Sequence, residues 1–208
     1  MARVPRLVRY TLAMSDATSS AVPAWSVRLA AELDATDHTA QELAAGLTTE
    51  QLNWQPAPGK WSIGQCLEHL CITNEAYIPA IRDSLTGKSA RRFQESVPEI
   101  APGWMARWFI RNYIEPSAQS KRAGAPKKIA PAARVELSVV DRFLHSNLAI
   151  RDLVRQAAGY DVNRIRFWNP FLPGIRFTAG TGLQLMAGHE RRHLLQAERV
   201  KASGEFPW

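Results

Sequence analysis

His189 and His193 stand four residues apart in GHERRHLLQAERV, Gly188 to Val200, with Glu190 directly after the first. On a helix this spacing puts both imidazoles on one face, about 6 Å apart along the axis, which suits two ligands of one metal ion. It also suits the charged outer face of an ordinary surface helix. Met186 and Gln196 share the stripe, so the pair has an apolar neighbour before it and an amide after it. A metal ion needs a third protein ligand, and inside a helical bundle a facing helix supplies it. Of the other three histidines, His38 and His145 lie among polar neighbours and read as surface residues. His69, in CLEHLCIT, shares its face with Gln65, Cys66, Ile72 and Thr73, a mostly inward set. It is the best third ligand, although a lone inward histidine is also at home as a hydrogen-bonded structural residue.

The letters HERRH match the HExxH pattern of zinc proteases, in which the glutamate is the general base. The pattern fails further on. A metzincin needs glycine and histidine where this chain has Gln196 and Arg199. The other zincin arrangement takes a glutamate from a later helix, and only fifteen residues follow His193. Glu190 lies about 100° from the ligand face. It is expected to pair with an arginine or, like Gln196, to support the ligands. Cys66, one turn before His69, is a fourth ligand, a redox-sensitive thiol or a buried inert one.

Four long segments carry helical period and must position these residues. The first runs from Trp25 to Leu47. TTEQLNWQPAPGKWS follows as a turn, where Pro56, Pro58 and Gly59 break any helix. Ser62 then caps a helix with Gln65 at its third position, in the manner of a capping box, and that helix reaches Gly87 with Pro79 inside it. A short aromatic element spans Trp104 to Glu115. Pro116 to Arg134, rich in Pro, Ala and Lys, reads as an exposed loop. Helical period returns over Val135 to Ala158. VNRIRFWNPFLPGIRF is irregular, and the last helix covers Thr178 to Ala202. No alternating Val/Ile/Thr-rich run suggests a sheet. The fold class is all-α, a four-helix bundle with a short extra helix and long loops. Residues 1–21 read as a loose leader, with Met14 an alternative start, and residues 22–208 as one domain.

The chain has 208 residues, enough for one sizeable core, and a formal charge of +7. That balance raises nucleic acid as a partner, but the charge is scattered in pairs such as Arg91-Arg92 and Lys127-Lys128, as on a solvated surface. Cys66 and Cys71 would sit about 140° apart on one helix and cannot form a disulfide. With no secretory signal pattern, that points to a reducing, cytoplasmic setting. No apolar stretch is long enough to span a membrane, and no membrane partner is expected.

NWQPAPGKWSIGQCLEHL followed about 120 residues later by GHERRHLLQAERV resembles the DinB-like (YfiT-like) superfamily of metal-dependent enzymes. The resemblance covers roughly residues 24 to 202. It implies an up-down-down-up four-helix bundle, a homodimer, and a divalent metal on His69, His189 and His193. Zinc or nickel leads, with iron or cobalt as alternatives. Relatives of this fold include thiol transferases that act with bacillithiol or mycothiol. The long Pro116 to Arg134 segment departs from the family pattern, so the fold carries over further than any one activity. The expected function is thiol-dependent transfer on a small molecule, ahead of hydrolysis. Arg166, Arg176, Arg191 and Arg192 are candidates to hold an anionic low-molecular-weight thiol, and Trp168 and Phe171 to wall the pocket. A non-catalytic bundle that binds a small ligand or protein partner is one alternative, and a basic nucleic-acid-binding protein another.

Overall fold

The computed structural model describes residues 22–115 and 127–208. Helix α1 is Ala24–Ala44, the single turn α2 is Thr49–Leu52, and α3 is Ile63–Thr86. Helix α4, Trp104–Phe109, runs on into a π-turn over Ile110–Ile114. Then come a 3₁₀ turn at Lys127–Ile129, helix α5 over Val139–Ala157, strands β1 (Arg166–Trp168) and β2 (Arg176–Thr178), and helix α6 over Ala179–Lys201. The expected leader, 1–21, and the first part of the expected loop, 116–126, lie outside the described residues.

Local chemistry explains the boundaries. Ser62 accepts from the Gln65 amide while the Gln65 side chain accepts from the Ser62 amide, so the capping box fixes the start of α3. Thr48 and Gln51 form a second box, which makes a helical turn of a segment read as turn alone. Helix α1 ends before Leu47 because Gly46, at φ 73°, turns the chain away. Pro79 sits on the exposed side of α3, where the lost backbone bond is open to water. The irregular segment holds a short antiparallel ribbon with Phe167 opposite Phe177, which corrects the expectation of no sheet. Three-residue strands are too short to reveal a period of two.

Helices α1, α5, α3 and α6 form a square in which α3 packs on α5 and α6, as does α1. Paired residues give the directions. Glu32 and Leu43 of α1 meet Arg191 and Lys201 of α6, so these helices are parallel. Cys71 and Asn74 of α3 meet Val139 and Ser146 of α5, also parallel. Asp34 and Asp37 run against Arg151 and Asn147, and His69 and Asn74 against His189 and Glu190 with Ile81 beside Gly182, so both other seams are antiparallel. The bundle is up-down-down-up. Consecutive long helices α1 and α3 stand on a diagonal.

The core comes in two halves. One gathers Leu33, Tyr77, Ile81, Ile150 and Met186, the other Leu43, Leu67, Phe143, Leu194 and Val200. Between them each helix contributes a buried polar side chain: Thr36, Asn74, Asn147 and Glu190. Glycines let the ribbon close on the bundle. A Cβ at Gly182 would lie 2.7 Å from the Phe167 ring and 2.8 Å from Ile81.

Candidate metal centre

His69 on α3 and His189 and His193 on α6 converge on the seam between these helices, with ligand-capable nitrogens all within 4.8 Å of one another. His69 and His193 are 2% and 9% exposed. His189 keeps an edge toward the surface, although its Nδ1 is buried without a partner. His69 Nε2 and His189 Nε2 are 3.2 Å apart. Two nitrogens each about 2.0–2.1 Å from one tetrahedral ion would stand about 3.3 Å apart, so the spacing suits a shared metal.

The tautomers follow from the partners. The Ile129 carbonyl can only accept, so His69 Nδ1 donates to it at 2.7 Å and His69 Nε2 carries the lone pair. His193 Nδ1 lies 3.2 Å from Gln196 Oε1, which likewise leaves its Nε2 free to ligate. Burial, reinforced by the other imidazoles, holds His189 well below the ordinary histidine range. Burial, the nearby His69 and the Arg192 charge push His193 down to about 3. Burial lowers His69 too, against the opposing pull of the Ile129 bond. All three imidazoles are therefore neutral at pH 7, the form that ligates a metal. Nothing but nitrogen joins this group among the described residues. The donor set fits a divalent ion that accepts imidazole.

Three supports escaped the sequence reading. Trp61 lies over the site, its ring 4.7 Å from that of His69 and 5.6 Å from that of His193. The tryptophan of the helix start is thus a wall of the centre. Ile129 belongs to a stretch expected to be exposed, yet it is buried and holds His69. The same strap is fastened to α3 twice more, where Gln65 Nε2 donates to the Ala132 carbonyl at 3.0 Å and Glu68 accepts from the Ala132 amide at 2.6 Å. These three bonds at positions 65, 68 and 69 follow one helical face, the only signal that existed.

The third support is the polar layer. Glu190, expected either to pair with an arginine or to support the ligands, turns into the bundle and is fully buried. Its carboxyl accepts from Thr36 Oγ1 at 2.8 Å, Asn74 Nδ2 at 2.9 Å and Asn147 Nδ2 at 3.2 Å, one donor from each other helix. Burial raises it to about 7 against the pull of these donors. It is no base for the histidine site. It fixes α6 one residue from His189.

The remaining candidates sort by distance. Cys66 is fully buried in the apolar half below the site, where burial raises its thiol to about 12. Among the described residues it does not join the histidine group, and burial keeps its thiol neutral at pH 7. Arg192 contributes positive charge beside His189 and His193. Arg191 instead ties α6 to Glu32 and Glu115. Phe171 packs on Tyr77, two helical turns from His69, about 12 Å along α3. Trp168 and Arg176 stack on each other at the ribbon's outer face. Arg166 stands beside Trp168 on that face, so the ribbon does not wall the centre. His38 and His145 are exposed.

A family model of the DinB superfamily matches residues 32–197. No curated protein and no solved structure matches the chain. The matched span reaches from within α1 to within α6 of the up-down-down-up bundle and includes the three histidines, and the chain belongs to the DinB superfamily.

Proposed function

We propose that the protein is a metal-dependent enzyme acting on a small molecule, with thiol transfer ahead of hydrolysis. The observation that carries this reading is the convergence of three neutral imidazoles, two of them held with Nε2 unprotonated by Ile129 and Gln196. A divalent ion bound there, zinc or nickel first and iron or cobalt next, supplies a Lewis acid that lowers the pKa of a thiol or of water. His69, His189 and His193 would hold it, and the strap over Ile129 and the Trp61 ring exclude water from the ligands' outer sides. Arg192 adds positive charge for an anionic substrate. The preference for a thiol rests on the carboxylates. The one beside the motif, Glu190, is buried among its own donors, and among the described residues none joins the histidine group to take a proton from water. An acidified thiol needs no such base.

The test is metal content by mass spectrometry of the untagged protein beside a His69→Ala/His193→Ala double variant. About one ion per chain in the wild type and none in the variant is expected, followed by metal-dependent turnover in screens with low-molecular-weight thiols. No ion in either protein, after reconstitution with zinc, nickel, cobalt and iron, refutes the enzymatic reading and leaves a ligand-binding bundle. The reading includes a cytoplasmic setting, in keeping with Cys66 and Cys71 as buried free thiols, and a homodimer, which light scattering on the eluting protein checks.

A further inference from the structure

Helix α4 and the β-ribbon turn their apolar sides inward and an unusual set of side chains outward. Phe109 of α4 touches Phe177 of β2, with ring centroids 6.4 Å apart, so the two elements adjoin. On the outer side Trp104 is 76% exposed, Met105 57%, Trp108 51% and Trp168 61%. Trp108 leans on Tyr113 and Trp168 on Arg176, yet each leaves half or more of its surface in water. Arg107 follows Trp104 by three residues and Arg111 follows Trp108 by three, and both arginines are exposed. Residues 102–114 and 162–178 hold five arginines and no aspartate or glutamate. Some arginines elsewhere pair with carboxylates, as Arg28 does with Glu99 and Arg142 with Glu75. Arg107, Arg111 and Arg166 have no ion-pair partner among the described residues.

We propose that this face docks the protein on an anionic lipid surface. Tryptophan and methionine enter the headgroup boundary, and interleaved arginines meet lipid phosphates. No helix of the described residues is long and apolar enough to cross a membrane, so the attachment is peripheral. Like charge decides against a second copy, because a two-fold contact through this face would bring together two patches that each carry arginines and no carboxylate. Shape decides against single-stranded nucleic acid, which follows concave basic grooves. The exposed tryptophans here line neither of two surface grooves, one with Glu75 and Asp141 beside Arg82 and Arg142, the other with Glu32 and Glu115 beside Arg28 and Arg191. The proposal is independent of the metal centre.

The test is flotation of the full chain with vesicles rich in phosphatidylglycerol, beside vesicles of phosphatidylcholine alone. Binding to the anionic vesicles, weakened by high salt and absent from the neutral ones, is expected. Each arginine near such a surface contributes about a fivefold factor, so Arg107→Glu/Arg111→Glu lowers affinity by about twentyfold or more. Trp104→Ser/Trp108→Ser does the same without changing net charge, which separates insertion from simple attraction. All four positions are exposed, and thermal midpoints equal to wild type confirm intact variants. Failure to float with anionic vesicles at low salt overturns the proposal, as does binding that both variants retain. Capture of a thymidine oligonucleotide through the same residues, without vesicle binding, assigns the face to nucleic acid and also overturns it.

Discussion

Replacing Glu190 by glutamine tests the polar layer through its response to pH. The carboxyl is fully buried and titrates near 7, against an ordinary 4.5. Thr36 explains how both protonation states can be housed. Its hydroxyl lies 2.8 Å from Glu190 and 2.9 Å from the Leu33 carbonyl, and has one proton to give. When Glu190 is charged, Thr36 donates to it. When Glu190 is neutral, it donates to Thr36, which turns its proton to Leu33. Because the folded pKa is raised, this group's stabilising contribution is full below 4.5 and is lost as pH rises through about 7. The gap amounts to about 3 kcal/mol. Glu190→Gln abolishes that slope and adds a pH-independent penalty of about 1–3 kcal/mol, because its amide meets donors. The depressed histidines lose stability in the opposite direction, as pH falls below 6.5, but equally in both proteins, so the difference cancels them. Urea unfolding of metal-stripped wild type and variant should show the wild-type advantage shrinking by about 2–3 kcal/mol between about pH 5 and about pH 8. A difference that stays flat across that range would refute the reasoning, since Glu190 would then hold one charge state throughout.

Gln196→Leu removes the acceptor that fixes the His193 tautomer, and zinc affinity measured by competition with a chelator should drop about tenfold with little change in folding. Gly182→Ala drives a methyl into Phe167 and Ile81, and a loss of about 1–3 kcal/mol is expected in denaturant unfolding. Truncating Phe167 to leucine in the same chain should restore part of it; a neutral Gly182→Ala would show the ribbon to be loosely seated. Protons compete weakly for imidazoles held this low, so zinc should be retained well below pH 6.5, the ordinary histidine range, when release is followed during acid titration.

Much of this was legible because single residues carry it. The Ser62 and Gln65 pair marks the start of α3, and the four-residue spacing of His189 and His193 marks one face of α6. The inward face of CLEHLCIT marked His69 as the best third ligand, and the family resemblance implied the same residue. What stayed hidden depends on neighbours distant in sequence. Asn74, Asn147 and Thr36 look like ordinary polar residues on helices, and only the square packing turns them toward Glu190. The strap at Ile129 acts through a backbone carbonyl, which no side-chain pattern announces. Trp61 was visible as part of a helix start, but its place over the imidazoles follows from the sharp turn between α2 and α3. The ribbon is held by Phe167 against Gly182 of α6 and by Phe177 against Phe109, packing relations rather than periodic ones.

The parallel pairing of α3 with α5 has a consequence for how the chain folds. A short link cannot join parallel neighbours, so the segment between them must travel back along the bundle before α5 begins. That crossover carries the strap, and His69 and His189 are 120 residues apart. Closing such a long loop is entropically slow and goes unrewarded until α6 docks. Both apolar halves include α6 residues, Met186 in one and Leu194 in the other, so the three nitrogens meet only in the docking that completes the core, and a partly folded chain offers no complete site. Metal capture becomes a report on the whole molecule, and an ion that binds only the finished fold raises the barrier to leaving it.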